Sequence, residues 1–346
     1  METNSNLTDI RPRLAALRAE DRHLRLRDAA RRLGASEGEL ISSFRGGPTI
    51  RLRREWAAML EAMPSLGEVM ALTRNEHAVI EKVGRFEKIE VQGHAGLVLG
   101  TAIDLRLFLD HWRAGFAVKD DAEVGLRRSL QFFDASGTAV HKIFINEDSD
   151  AAEFERFVHR FADADQTAAD EFRDYPAPAA ERADAEIDVD GLRAAWAEMK
   201  DTHDFVFLLR RFGVSRTQAL RLAGPQWTAP VPVASLRTIL DTAASSGLPI
   251  MVFIGNRGAI EIHTGPVKTV KPTGAWMNVL DADFNLHVHE PGLAAAWLVR
   301  KPTVDGIVTA VEFYDAADEV VGLLFGKRKP GELELPEWRT LAESLA

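Results

Sequence analysis

The 346 residues include no cysteine, which excludes disulfides, thiolate metal ligands and cysteine nucleophiles. No apolar run approaches the roughly 20 residues of a membrane-spanning helix, and the polar start Met1-Glu-Thr-Asn-Ser has no signal-peptide pattern. A cytoplasmic protein without membrane insertion is therefore expected. Familiar catalytic signatures are missing as well: there is no Gly-x-Ser-x-Gly, no His-Glu-x-x-His and no dinucleotide fingerprint. Gly255-Asn-Arg-Gly258 follows the apolar segment Ile250–Ile254, but neither Lys-Ser/Thr nor a helix comes after it, so it reads as a turn and not a phosphate loop. Positive charge is the minority sign. The net charge of −10 argues against nucleic acid as a partner. The arginine-rich stretch Arg11–Arg32 is a local exception, and its spacing with Leu14, Leu17, Leu24 and Leu33 reads as solvated helix faces.

What is present is an ordinary globular balance, 46% hydrophobic and 27% charged, arranged with two periods. Residues 8–62 read as helices: Leu24–Leu33 stops at Gly34, Ser36 opens the next with Glu37 and Glu39 in its first turn, and Leu52–Met63 follows the Gly46-Gly-Pro break. From Val69 the period changes to two. Short segments punctuated by Asn75, Gly84, Gly93 and Gly100 predict an antiparallel meander that continues through Ile103–Phe108, Gln131–Asp134 and Val140–Phe144.

A shift of 181 residues brings Met70 onto Met251, Asn75 onto Asn256, Gly84 onto Gly265, Val98 onto Val279, Phe132 onto Phe313 and Phe144 onto Phe325. Upstream, Arg31-Arg-Leu-Gly-Ala-Ser aligns with Arg210-Arg-Phe-Gly-Val-Ser at a shift of 179. One offset kept over so long a stretch marks a tandem duplication. The expected class is α+β, each half being helices plus a large antiparallel meander sheet. The expected boundaries are a first repeat unit at 1–165, a linker at 166–186 rich in alanine, proline and acidic residues, and a second unit at 187–346.

The stretch Ala197–Arg216 opens the second unit. Asp201 or Thr202 is placed to cap a helix running to Gly213. Phe205, Leu208, Leu209 and Phe212 form one apolar stripe, while Val206 and Phe207 form another nearly opposite, with His203 one turn before it. Two apolar faces need two covers. One is the core, and the other is either more core or a flat apolar ligand bound through His203. On the strand Ile103–Phe108 the alternation puts Asp104, Arg106 and Phe108 on one face, and on the equivalent strand it puts Asn285, His287 and His289 there. His287 and His289, supplemented by Glu261 or His263, make a weak candidate for metal chelation. Glu76 and His77 read as a polar hairpin tip, and Trp196, Trp276 and Trp297 as core.

Taken together, these segments resemble the cytoplasmic haemin-degrading and haem-trafficking proteins of bacterial haem uptake. The carriers are Arg74-Asn-Glu-His, Glu81-Lys-Val-Gly, Ile103-Asp-Leu-Arg-Leu-Phe with His111-Trp112, Asp201-Thr-His-Asp-Phe, Ile250–Gly258, Ile262-His-Thr-Gly and Arg300-Lys-Pro-Thr-Val-Asp-Gly, covering nearly the whole chain. The resemblance implies haem b as cargo or substrate, with His203 as proximal iron ligand and Arg106 on the distal side. A guanidinium stays protonated and is a poor ligand, so Arg106 would act through a bound water or hydroxide. It also implies Arg216, Lys301 and Arg328 as propionate partners and Phe108, Val206, Phe207 and Phe325 as apolar walls. The implied partners are a downstream haem oxygenase or the import machinery, and the expected state is a monomer or weak dimer. Many relatives carry a histidine where this chain has Ile80, which leaves His77, three residues upstream, to serve any alternative haem site. Three activities are weighed: haem trafficking, oxidative haem degradation with release of iron, and non-haem metal binding.

Overall fold

The first helices stop and start at the residues that should stop and start them. In the computed structural model, which describes residues 5–346 apart from 23, 123–124, 169 and 330, α1 (Ser5–Glu20) is followed by α2 (Leu26–Leu33) and α3 (Glu37–Ser42). Gly34 ends α2 in the left-handed conformation, and Ser36 with Glu39 forms a reciprocal capping box on α3. The polar start at residues 1–4 lies outside the described residues. Helix is not continuous through residue 62, however. Gly46-Gly-Pro breaks it, and β-branched Thr49 and Ile50 enter a short strand, β1 (Thr49–Arg51), before α4 (Trp56–Ala62). Leu52 is lost to α4 because its N–H donates to Gly115.

The meander then runs as expected: β2 (Gly67–Arg74), β3 (Ala78–Gly84), β4 (Lys88–Gln92), β5 (Ala95–Leu99), β6 (Asp104–Phe108), β7 (Ala114–Ala122), β8 (Gly125–Phe133), β9 (Ala139–Ser149) and then α5 (Ala151–Phe161). The second half repeats the plan with α6 (Val189–Ala197), α7 (Asp204–Phe212), α8 (Arg216–Ala223), β10 (Thr228–Val231), α9 (Ser235–Ser246), β11 (Ile250–Gly255), β12 (Ala259–Gly265), β13 (Trp276–Leu280), β14 (Phe284–His289), β15 (Ala295–Thr303), β16 (Gly306–Tyr314), β17 (Val320–Gly326) and α10 (Pro336–Glu343). The first half has antiparallel ladders β1-β7-β8-β9-β2 and β4-β5-β6, and the second has β10-β15-β16-β17-β11 and β13-β14.

The duplication holds at the level of register. Met70 pairs with Phe144 as Met251 pairs with Phe325, and a bulge at Phe132/Phe133 recurs at Phe313/Tyr314. The compact units, however, do not follow chain order. One comprises the residues up to Arg74 with Glu81–Pro176 and Asn256–Glu261, and the other comprises Asn75–Ile80, Ala177–Gly255 and Ile262–Ala346. Each unit thus takes six residues from the other half at equivalent positions of the repeat.

Asparagines fasten both exchanged segments in the same way. Asn75 Oδ1 accepts from the N–H groups of His77 and Ala78, and its Nδ2 donates to the carbonyls of Gly255 and Val321. Asn256 Oδ1 accepts from Gly258 and Ala259, and its Nδ2 donates to Arg74 and Val140, the counterparts of Gly255 and Val321 at the same shift. The period-two pattern of the sequence contains no hint of this exchange.

Among the described residues of 163–183 none lies in a helix or strand, but the first part is not free chain. The Asp170 carboxylate is buried against Arg45 and Arg51, and Phe172 lies over Gly38 and Gly137. Only from Pro176 to Glu186 is every residue exposed, so the solvated stretch is shorter than composition implied.

Candidate functional site

In the second unit α7 starts later than its capping residues suggest. Its first helical residue is Asp204, whose carboxylate accepts from the N–H groups of Lys200 and Asp201 at 2.9 and 3.0 Å. Asp201 does not cap the helix. Its Oδ1 accepts from the His203 N–H at 2.8 Å and lies 2.5 Å from His203 Nδ1. The backbone N–H of His203, the imidazole contact and the field of Arg328 hold the Asp201 carboxyl below its ordinary range, against a smaller opposing effect of burial. With Nδ1 engaged, Nε2 is the nitrogen left for an outside ligand, on a side chain 88% exposed. A carboxylate behind the non-ligating nitrogen is the arrangement that orients metal-binding histidines.

The two apolar stripes of α7 separate cleanly. Phe205 and Leu208 are buried, Phe205 against Trp196 at 5.0 Å between ring centroids, whereas Val206 and Phe207 are 45% and 65% exposed. Phe207 stands one turn beyond His203, so a large uncovered ring accompanies the imidazole.

Beneath Phe205 lies a group of four polar side chains. Arg216, the first residue of α8, forks onto Glu312, with Nε 2.9 Å from Oε2 and Nη2 2.7 Å from Oε1, and Nε also donates to the Tyr314 hydroxyl at 2.9 Å. Lys301 Nζ donates to Glu312 Oε1 at 2.9 Å, and the Tyr314 hydroxyl donates to Oε2 at 2.5 Å. The Arg216 guanidinium and the Lys301 ammonium face the Phe205 ring at 5.0 and 4.3 Å. Burial pushes the Glu312 carboxyl up, but Arg216 and Lys301 outweigh it and hold it well below the carboxylate range. Burial brings Lys301 down to about 8 despite the opposing pull of Glu312. Two cations share one carboxylate, and the Nη1 group of Arg216 has no partner among the described residues.

Arg328 is paired with Asp305 at 3.3 Å, and its Nε is buried without a hydrogen-bond partner. Phe325, half-buried, meets Phe253 edge-on at 5.1 Å. Cross-strand register puts Phe325 opposite Ala310 and Leu323 opposite Glu312, so these side chains share the face of the sheet that carries the Arg216–Glu312 group. The second unit therefore carries His203, Phe207, Arg216, Lys301, Phe325 and Arg328 on α7 and the turn before it, α8, β15, β17 and the segment after β17, with Arg216 and Lys301 joined through Glu312 and Phe325 on the same sheet face.

Arg106 and Phe108 belong to the first unit. As the alternation predicts, Leu105 and Leu107 are buried, while Asp104, Arg106 and Phe108 occupy the open face of β6. Arg106 Nη1 donates to Asp104 and to the Leu105 carbonyl. His287 and His289 likewise point to one face of β14, but among the described residues no group of three or more histidine or acidic side chains is arranged to hold a metal ion. His287 Nδ1 lies 2.7 Å from Asn278 Oδ1, and His289 stacks with His77 at 6.2 Å, so the support for a non-haem metal site falls away. Glu261 sits in the other unit, and buried His263 stacks on Phe284 at 3.7 Å. Trp196 is fully buried, as expected of core.

Sequence reasoning missed Glu312 and Tyr314. The available signal was a single acid inside the apolar run Val308-Thr-Ala-Val-Glu-Phe-Tyr, a position where an unpaired charge would be costly.

The model of the haemin-degrading HemS.ChuX domain matches twice, at residues 34–161 and 213–345. Hemin transport protein HmuS of Yersinia pestis is 38% identical over 90% of each chain. The solved structure of holo-PhuS, a haem-binding protein from Pseudomonas aeruginosa, is 48% identical, covers 98% of this chain and 99% of its own, and superposes with a TM-score of 0.96. The haem-degrading enzyme ChuS of Escherichia coli O157:H7 is 34% identical over 99% of each chain, with a TM-score of 0.92.

Proposed function

The chain belongs to the haemin-degrading HemS.ChuX family, and on that premise we propose that it binds haem b, accepting it after import into the cytoplasm and passing it on for degradation. The observation that carries this reading is His203. It is exposed, held at Nδ1 by Asp201, and set beside the uncovered Phe207. A neutral imidazole is a common axial ligand of haem iron, and Asp201 fixes the tautomer that leaves Nε2 for the metal. Val206, Phe207 and Phe325 supply apolar surface for the porphyrin. Arg216 and Arg328 are the cations for the propionates, each keeping about a fifth to a quarter of its side chain in solvent. Lys301 acts in the same group through Glu312. Arg106, on the open face of β6 with Phe108, keeps its guanidinium protonated, so its part in haem binding is to hydrogen-bond a water or hydroxide.

Haem titration followed by absorbance tests this assignment. Wild type is expected to give a sharp Soret band and His203→Ala a weakened or shifted one. Identical spectra would remove His203 as the ligand and turn attention to His77. Arg106→Ala is expected to change mainly the binding of small sixth ligands.

A second reading, oxidative opening of the porphyrin with release of iron, is favoured by the similarity to proteins described as a haem-degrading enzyme and a haem oxygenase. Turnover to a defined tetrapyrrole with catalase present would establish it. Haem loss that is stoichiometric and abolished by catalase would leave trafficking alone.

A further inference from the structure

Arg216 and Lys301 are already satisfied by an internal carboxylate, in the geometry a ligand carboxylate would adopt: a two-point guanidinium fork, an ammonium and a tyrosine hydroxyl converge on Glu312. The duplicated fold does not require this group. At the equivalent positions the first half has Gln131 for Glu312, Phe133 for Tyr314, Asp120 for Lys301 and Glu37 for Arg216, and the charge buried there is a simpler pair, Glu37 with Lys142, the residue opposite Gln131. Nor does stability explain it, because a buried ion pair returns little net energy once both charges have been taken out of water. What distinguishes the second unit is the neighbouring site. Both cations lie over Phe205, two residues from His203; Arg216 keeps about a quarter of its side chain in solvent, while Lys301 is buried beside it.

We propose that Glu312 is a release-setting residue, a resident carboxylate that competes with a haem propionate for Arg216 and Lys301 and so keeps bound haem exchangeable. This rests on the haem reading above and adds a residue to it. A free Arg216–Lys301 pair would hold a propionate with nothing to replace it on departure. With Glu312 in place, both cations have a partner in the empty protein, so loss of haem strands no buried charge. Tyr314, which donates to the same Oε2 that Arg216 holds, positions Glu312 for this exchange.

The test compares release of haem with release of its dimethyl ester, which lacks the propionate charges, into excess apomyoglobin by stopped-flow absorbance. Glu312→Gln keeps the size and much of the hydrogen bonding. It is expected to slow haem release about tenfold, or ~1.4 kcal/mol, while ester release and the Soret maximum stay unchanged. Lys301→Met should do the opposite, bringing haem release toward that of the ester, and it keeps the test decisive should Glu312→Gln fold poorly. Unchanged or faster haem release from Glu312→Gln, or an equal effect on haem and ester, would overturn the proposal. So would equal release rates of haem and ester from the wild type. A wild type that develops no Soret band would instead overturn the haem reading itself.

Discussion

A side chain as exposed as His203 gains almost nothing from burial, so the interactions that fix its rotamer and tautomer come from Asp201. The same carboxylate binds the His203 N–H, which couples ring orientation to the backbone turn entering α7. Replacing Asp201 with Asn keeps the shape but removes the charge that favours a proton on Nδ1. Haem affinity is expected to fall about 10–100-fold, the usual cost of losing such an orienting partner, and titration by absorbance checks it; undiminished affinity would make Asp201 a turn residue only. Glu261 is the opposite kind of residue, buried in the first unit, where burial raises its carboxyl to about 8 against the weaker pull of Thr73 and Lys82. Between the ordinary value near 4.5 and about 8, the folded protein retains a proton that the unfolded chain has lost. Its contribution to stability is therefore greatest at the acid end and is lost as pH rises through that window. Glu261→Gln should gain about 2–4 kcal/mol on wild type between pH 5 and pH 8, read from urea midpoints at the two pH values. Parallel pH profiles would count against a protonated Glu261. His203 was visible in the sequence only as a histidine beside a surplus apolar stripe, and its role came from the family motif. Asp201 was legible only as a candidate helix cap, because the spacing that caps a helix is also the spacing that brackets a histidine.

At the scale of the element, α7 divides into what pattern reveals and what it does not. Its stop and both stripes follow from periodicity and from Gly213, whose φ of 61° suits glycine. Gly213→Ala should cost about 1 kcal/mol, seen as a lower urea midpoint with haem affinity unchanged. A stabilised variant would mean that the turn relaxes out of the left-handed region. Its start was misplaced because three candidate acceptors, Asp201, Thr202 and Asp204, crowd the same turn, and only the side-chain bonds decide which one closes it. The alternation of β6 and β14 was legible for the same reason as the stripes, since one buried face fixes the other. Glu312 was not. An acid in an apolar strand signals a buried partner, but Arg216 stands 96 residues away and nothing in a single sequence joins them.

For the whole molecule the decisive fact is the exchange. A repeat of 181 residues suggests two halves that fold in series, yet each compact unit is completed by six residues of the other half. Neither unit has all its strands until both halves of the chain have been placed, so their unfolding should be coupled by connectivity alone. The asparagines locate that coupling. Asn256→Ala removes two side-chain bonds to the Arg74 and Val140 carbonyls and the acceptor for two N–H groups of its own turn. At about 1–3 kcal/mol for each buried group left unsatisfied, the loss should be large for a single substitution. Trp112 reports on the same segment, because its Nε1 donates to the Gly258 carbonyl at 3.0 Å. In urea, tryptophan fluorescence and far-ultraviolet circular dichroism should therefore trace one transition in the wild type and one transition, at lower midpoint, in Asn256→Ala. Asn75→Ala, the equivalent change in the other unit, should lower the same single midpoint. Two separated transitions in the wild type, or an Asn256→Ala effect confined to fluorescence, would mean that the units unfold independently and that the exchanged segments are decoration on self-sufficient halves.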